Sequence, residues 1–151
     1  MEDTIKVLLI EDNPQDAKFI QEELSGGMDI FFNVITVSTL QDGFSNINNG
    51  NIDLILSDLG LPDSTGIDTY IKLYEKTKTI PIIILSSNKD EELALSAVRK
   101  GAQDYLVKGD IDSKLLQKSI KYAIEKHKLY RELEQAKAEL ERYKKLGEYV
   151  T

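Results

Sequence analysis

The chain has 151 residues, 41% of them hydrophobic and 30% charged, which suits one domain with a full core and is too apolar for a disordered segment. Nineteen Lys and Arg against 26 Asp and Glu give a net charge of -7, which speaks against a nucleic-acid footprint built on a basic patch. With no cysteine and one histidine, disulfides, thiolate catalysis, Cys-ligated zinc and multi-His metal sites are excluded.

No stretch approaches the roughly 18 consecutive apolar residues of a membrane span. The acidic start MEDTIK runs straight into a strand pattern, unlike a signal peptide. A cytoplasmic protein without a membrane partner is expected.

Apolar runs alternate with helical spacing along the chain. Ile5 to Ile10 is a continuous apolar run, as in a strand covered on both faces. Pro14 to Leu24 has helical spacing through Ala17, Ile20 and Leu24, with Pro14 suited to the first turn and Gly26-Gly27 as the stop. Phe32 to Val37 predicts a second strand. Leu40, Phe44 and Ile47 predict a helix over 39–48, stopped by Asn48-Asn49-Gly50. Ile52 to Ser57 is the third strand, and Ile67, Tyr70, Ile71 and Tyr74 mark the third helix. Pro81 opens the fourth strand, Leu93, Ala94, Ala97 and Val98 mark the fourth helix, and Gly101 ends it. Tyr105 to Val107 closes a fifth strand, and a last helix begins near Ser113.

Five βα units with short connections predict a doubly wound α/β fold: a five-stranded parallel sheet, flavodoxin-like, in the order 2-1-3-4-5, with an extended C-terminal helix. In such sheets chemistry sits beyond the carboxyl ends of the strands. The stretch LILSDLGLPDSTG, residues 54–66, ends its apolar strand on Asp58, which therefore lies on that rim. The first strand ends in Glu11-Asp12-Asn13, the fourth in Ser86-Ser87-Asn88 and the fifth in Lys108-Gly109. Neighbouring strand ends bring Glu11, Asp12, Asp58, Ser86 and Lys108 to one small site. Crowded carboxylates raise one another's pKa, and a hard divalent cation such as Mg2+ relieves that repulsion. Acids, lysine and hydroxyl together describe a site for a phosphoryl group, and carboxylates do accept phosphoryl groups.

On these five motifs the chain resembles the response regulator receiver domains of two-component signalling, over roughly residues 4–126. The resemblance implies Asp58 as phosphoacceptor for a histidine kinase, and Glu11 and Asp12 as the acid pair. It implies Ser86 and Tyr105 as switch residues and Lys108 as the lysine of the site. Mg2+ would be held by Asp12, Asp58 and the Gly60 carbonyl, with Glu11 beside them. It also implies a signalling phosphoacceptor that assists its own phosphorylation and dephosphorylation rather than a turnover enzyme.

Against this stand plainer roles. Asp58 could cap a turn, Glu11, Asp12 or Asn13 could cap the first helix, and Tyr105 could be an ordinary strand aromatic. His127, in IEKHKLYREL, reads as a solvated or packing histidine rather than a phosphotransfer group. Three other classes are weighed. The first is a phosphorylation-independent receiver-like interaction or dimerisation module. The second is a haloacid-dehalogenase-like phosphatase, whose Asp-x-Asp follows its first strand. The third is a flavodoxin-like cofactor protein, whose phosphate loop the acidic EDNPQD would oppose.

Two positions depart from the receiver pattern. Gly109 stands where a proline usually follows the lysine, so unusual backbone angles are open to that loop. Gly60 offers no side chain to shield a phosphoryl group; Asn88 is a partial substitute. From Ser113 the helical pattern continues without Pro or Gly to Gly147. Residues 1–126 are assigned to the receiver and 127–151 to a helical extension. In the extension Leu129, Leu133, Ala136, Leu140 and Tyr143 recur at spacings of 4, 3, 4 and 3, a heptad-like seam. Its expected use is a homodimer, a downstream effector or a connection to an output domain, with a favourable Glu141–Lys145 pair on its surface.

Overall fold

The computed structural model describes residues 4–26, 30–87 and 91–150. The elements run β1 (Thr4–Ile10), α1 (Pro14–Ser25), β2 (Phe31–Val37), α2 (Leu40–Asn48), β3 (Leu54–Asp58), β4 (Gly60–Leu61), β5 (Ser64–Thr65) and α3 (Ile67–Lys76). They continue with β6 (Ile82–Ser86), α4 (Glu91–Arg99), β7 (Asp104–Val107), a 3-10 turn (Lys108–Asp110) and α5 (Ser113–Val150). The main sheet is parallel throughout, in the order β2-β1-β3-β6-β7. This is the doubly wound order expected from the five βα repeats.

Strand alternation sorts the core into two layers. Val7, Leu9, Leu54, Leu56, Ile83, Leu85 and Leu106 face α1 and α5, against Ala17, Ile20, Leu24, Leu116, Ile120 and Ala123. Leu8, Ile10, Ile55, Ile82 and Ile84 face α2, α3 and α4, against Leu40, Tyr70, Leu73, Ala94 and Ala97. With both faces covered, the central strands carry almost no polar residue. This is why they read as unbroken apolar runs rather than alternating ones.

Helix starts follow local chemistry. Asn13 caps α1, its Oδ1 accepting from the amides of Gln15 (2.9 Å) and Asp16 (3.0 Å). Thr39 caps α2 by accepting from the Asp42 amide at 3.1 Å. Gly101 follows α4 at φ +125°, where an added Cβ would stand 2.8 Å from the Tyr70 hydroxyl. Glycine is required there on both counts.

Three details differ from the sequence reading. The third strand begins at Leu54, not Ile52, because Asp53 closes a separate bridge to Lys6. The Asp53 amide donates to the Lys6 carbonyl at 2.9 Å, and the Lys6 amide donates to Asp53 Oδ2 at 2.8 Å. Residues 60–65, for which the sequence pattern showed no strand, fold into the β4–β5 hairpin. Its Ser64 hydroxyl meets that of Thr69 at 2.9 Å, and the Thr69 hydroxyl donates to the Leu59 carbonyl at 3.1 Å. Gly109 lies in the 3-10 turn and is absent from the glycines with positive φ, so the turn does not use glycine's special freedom. Gly27 and Asn88 lie outside the described residues.

The sheet-facing stripe of α5 ends near Ile124 and His127, and from Lys128 to Glu148 every residue is exposed. On that exposed stretch Glu134 and Lys137 form an ion pair at 3.7 Å, and among the described residues the expected Glu141–Lys145 contact is not formed within 4.0 Å.

Candidate functional site

The site forms where β1, β3 and β7 end together. Asp58 closes β3 on the strand parity of Leu54 and Leu56, which face α1 and α5. Lys108 follows β7 one step beyond Val107, on the parity of Leu106. Glu11 follows β1 on the parity of Val7 and Leu9, its amide held by the Val37 carbonyl at 2.9 Å. A period of two thus aims all three side chains to the α1/α5 side of the sheet edge.

There the Lys108 ammonium is the hub. Its Nζ lies 2.6 Å from Asp58 Oδ2, 2.5 Å from Glu11 Oε1 and 3.0 Å from Asp16 Oδ2. Partial burial disfavours its charge. Hydrogen bonds to Asp58, Glu11 and Asp16 outweigh that and hold the ammonium well above the ordinary lysine pKa. Asp58 Oδ1 accepts from the Gly60 amide at 2.9 Å. Glu11 is the most enclosed of the acids, 2% exposed, with Oε2 accepting from the Asn13 amide at 3.2 Å. Burial, reinforced by the charge of Asp58 and opposed by Lys108, pushes its carboxyl up to about 7.

Asp12 is exposed, and carboxylate oxygens of Glu11, Asp12 and Asp58 all lie within 4.8 Å of one another. An all-oxygen, anionic donor set at that spacing fits a hard divalent cation such as Mg2+. Among the described residues three carboxylates contact the one ammonium and a fourth, that of Asp12, lies within 4.8 Å of Glu11 and Asp58, so further positive charge would be accommodated.

Ser86 closes β6 and is 2% exposed. Its Oγ has no hydrogen-bond partner among the described residues. It shares strand parity with Ile84, whose register partner is Tyr105, so Ser86 and Tyr105 belong to the same sheet face, that of α4. Tyr105 is half-buried, and its hydroxyl donates to Glu91 Oε1 of α4 at 3.2 Å. The structure therefore gathers Glu11, Asp12, Asp58 and Lys108 at one point, with Gly60 joined through its amide. Ser86 stands at the adjacent strand end and Tyr105 is turned toward α4. Asp16 was missed by sequence reasoning; the signal was its place four residues after Asp12, on the first turn of α1. Asp63 was also missed. From the hairpin it accepts from the Leu40 and Gln41 amides at 2.9 and 3.0 Å, fixing the start of α2.

A family model described as the response regulator receiver domain matches residues 7–121. Among curated proteins, the KDP operon transcriptional regulatory protein KdpE of Escherichia coli K12 is 35% identical over 114 residues, 72% of this chain and 48% of KdpE. The nitrate/nitrite response regulator protein NarL of the same organism is 32% identical over 117 residues, 78% of this chain and 53% of NarL. The chain thus spans about half the length of these relatives. Among solved structures, the receiver domain of a putative LuxO repressor protein from Vibrio parahaemolyticus has a TM-score of 0.72 at 27% identity, covering 87% of this chain and 98% of that one. A response regulator receiver domain protein from Clostridium thermocellum has a TM-score of 0.68 at 28% identity, covering 83% and 98%.

Proposed function

This chain belongs to the response regulator receiver family of two-component signalling, and on that premise we propose that Asp58 is its phosphoacceptor, charged by the phosphohistidine of a histidine kinase. The N–P bond of the phosphohistidine breaks as an Asp58 oxygen bonds to phosphorus, and the imidazole nitrogen leaves with the bonding pair. The observation that carries the reading is the Lys108 ammonium, held 2.6 Å from Asp58 Oδ2 at the carboxyl rim of the central strand.

Each neighbour has a matching task. Lys108 pairs with an Asp58 carboxylate oxygen at 2.6 Å and is placed to pair with the incoming phosphoryl oxygens. Ser86 offers a buried hydroxyl with no acceptor of its own among the described residues, as suits a donor kept for a group that arrives later. Mg2+, held by Asp12, Asp58 and the Gly60 carbonyl with Glu11 beside them, would neutralise charge on the transferring group. Drawing Ser86 toward the phosphoryl group frees space on the α4 side, and Tyr105 leaves Glu91 to turn inward. The surface of α4 and β7 then changes, which is how the state is read by an effector.

The domain so switched comprises residues 1–126, with 127–151 as the extension that passes the state on. It acts as a switch in a cytoplasmic phosphorelay rather than as a turnover enzyme, and its output is a protein contact rather than a nucleic-acid one. Incubation with a small acyl phosphate and Mg2+ tests the acceptor's chemistry. The expected adduct is stoichiometric and is released by hydroxylamine, which cleaves acyl phosphates and spares phosphoesters. A hydroxylamine-stable adduct would place the phosphoryl group on a hydroxyl and overturn the assignment.

A further inference from the structure

We propose that residues 129–146 of α5 form a parallel two-stranded coiled coil with the same segment of a second copy of this chain. The inference does not depend on the phosphoacceptor assignment. Leu129, Leu133, Leu140 and Tyr143 are 65%, 53%, 57% and 71% exposed, a row of large apolar side chains that the rest of the chain leaves uncovered. At 3.6 residues per turn this row lies roughly 150° around α5 from the sheet-facing Leu116, Ile120 and Ala123 stripe. It therefore points away from its own domain.

The charges flanking the row select the occupant. Spacings of 4, 3, 4 and 3 put Leu129, Ala136 and Tyr143 at heptad position d, and Leu133 and Leu140 at a. The charged residues at position g are then Glu132 and Glu139 and those at position e are Lys137 and Lys144, with Tyr130 at the first e and Leu146 at the last g. In a parallel pair each g residue faces the e residue five places further along the other helix. Glu132 meets Lys137 of the second copy, and Glu139 meets Lys144, each twice by symmetry. In an antiparallel pair g faces g and e faces e, so Glu would meet Glu and Lys would meet Lys. The pattern is self-complementary in one orientation only.

The row has defined ends. Lys126 occupies the preceding a position and Gly147 the following one. About 27 Å of helix gives an interface below the standard size, so association is expected in roughly the micromolar to sub-millimolar range. Both domains then sit at the same end of the pair.

The test uses all 151 residues, none of which is a cysteine. Leu129→Cys and Tyr143→Cys are oxidised separately and together, and sedimentation velocity is run across the concentration range. A parallel pair gives each single variant a disulfide to its own copy. An antiparallel pair would hold each of these residues more than about 20 Å from its copy, far beyond disulfide reach, and would link 129 to 143 or nothing. The charge-reversed chain Glu132→Lys/Glu139→Lys should self-associate roughly tenfold or more weakly. Mixing it with Lys137→Glu/Lys144→Glu should restore association. Monomers at all concentrations, or cross-links only between unlike positions, would overturn the proposal.

Discussion

The Lys108 ammonium, 2.6 Å from Asp58, is shared with Glu11 at 2.5 Å. One cation thus compensates both the proposed acceptor and the most enclosed acid of the site. Lys108→Ala strands the Glu11 carboxylate and should lower the unfolding free energy by roughly 1–3 kcal/mol at neutral pH, read by urea titration. Glu11→Gln in the same background should return part of that loss. A double-mutant cycle without coupling would show that the contact carries no energy.

Metal should stabilise the fold by relieving repulsion among the acids. At a hundredfold excess over its dissociation constant, Mg2+ is expected to add about 2.7 kcal/mol and to raise the melting temperature. Asp12 is exposed, so Asp12→Asn should melt like the wild type without metal and lose most of the Mg2+ response. An undiminished response in that variant would place the ion elsewhere.

His127 gives a pH dependence of known sign. It sits half-buried with Nδ1 3.4 Å from the Gln103 amide nitrogen. Burial, joined by the nearby Arg131 charge and opposed by a hydrogen bond at Thr79, holds its pKa below 6.5. Well above pH 6.5 the ring is neutral in both folded and unfolded chains and contributes no slope. As pH falls below that value the unfolded chain takes up the proton first, and stability is lost until the folded pKa is passed. The wild type should therefore lose more stability than His127→Gln between about pH 7 and 5. Parallel stability profiles for the two proteins would contradict this.

Two glycines should respond oppositely to alanine. Gly101, at φ +125° and against the Tyr70 hydroxyl, should cost roughly 1–3 kcal/mol on Gly101→Ala. Gly109 has open space around it and no positive φ, so Gly109→Ala should be near neutral and should leave phosphorylation intact. Thermal melts of the two variants check both.

The parallel sheet was legible because strands buried on both faces must be apolar throughout, and because each helix carries its own 3.6-residue stripe. Glu11, Asp58 and Lys108 were legible as polar residues placed directly after such runs. What sequence missed was set by contacts distant along the chain. Asp16 joins the site only because the start of α1 lies at the same rim as the end of β7, so that Lys108, 92 residues further along the chain, reaches it. The β4–β5 hairpin has two-residue strands, too short for any period to show. Its role emerges only when Asp63 is seen capping α2, 23 residues back. The seam of α5 was visible as spacing, but its exposure required knowing that the sheet-facing stripe ends near His127.

The most direct measurement is intact mass after incubation with an acyl phosphate, for wild type and Asp58→Asn, each with Mg2+ and with a chelator. The result expected is one phosphoryl group on the wild type with Mg2+, and none on the variant or in chelator. An equal adduct on Asp58→Asn, or no adduct on the wild type under any condition, would contradict the assignment of Asp58 as phosphoacceptor.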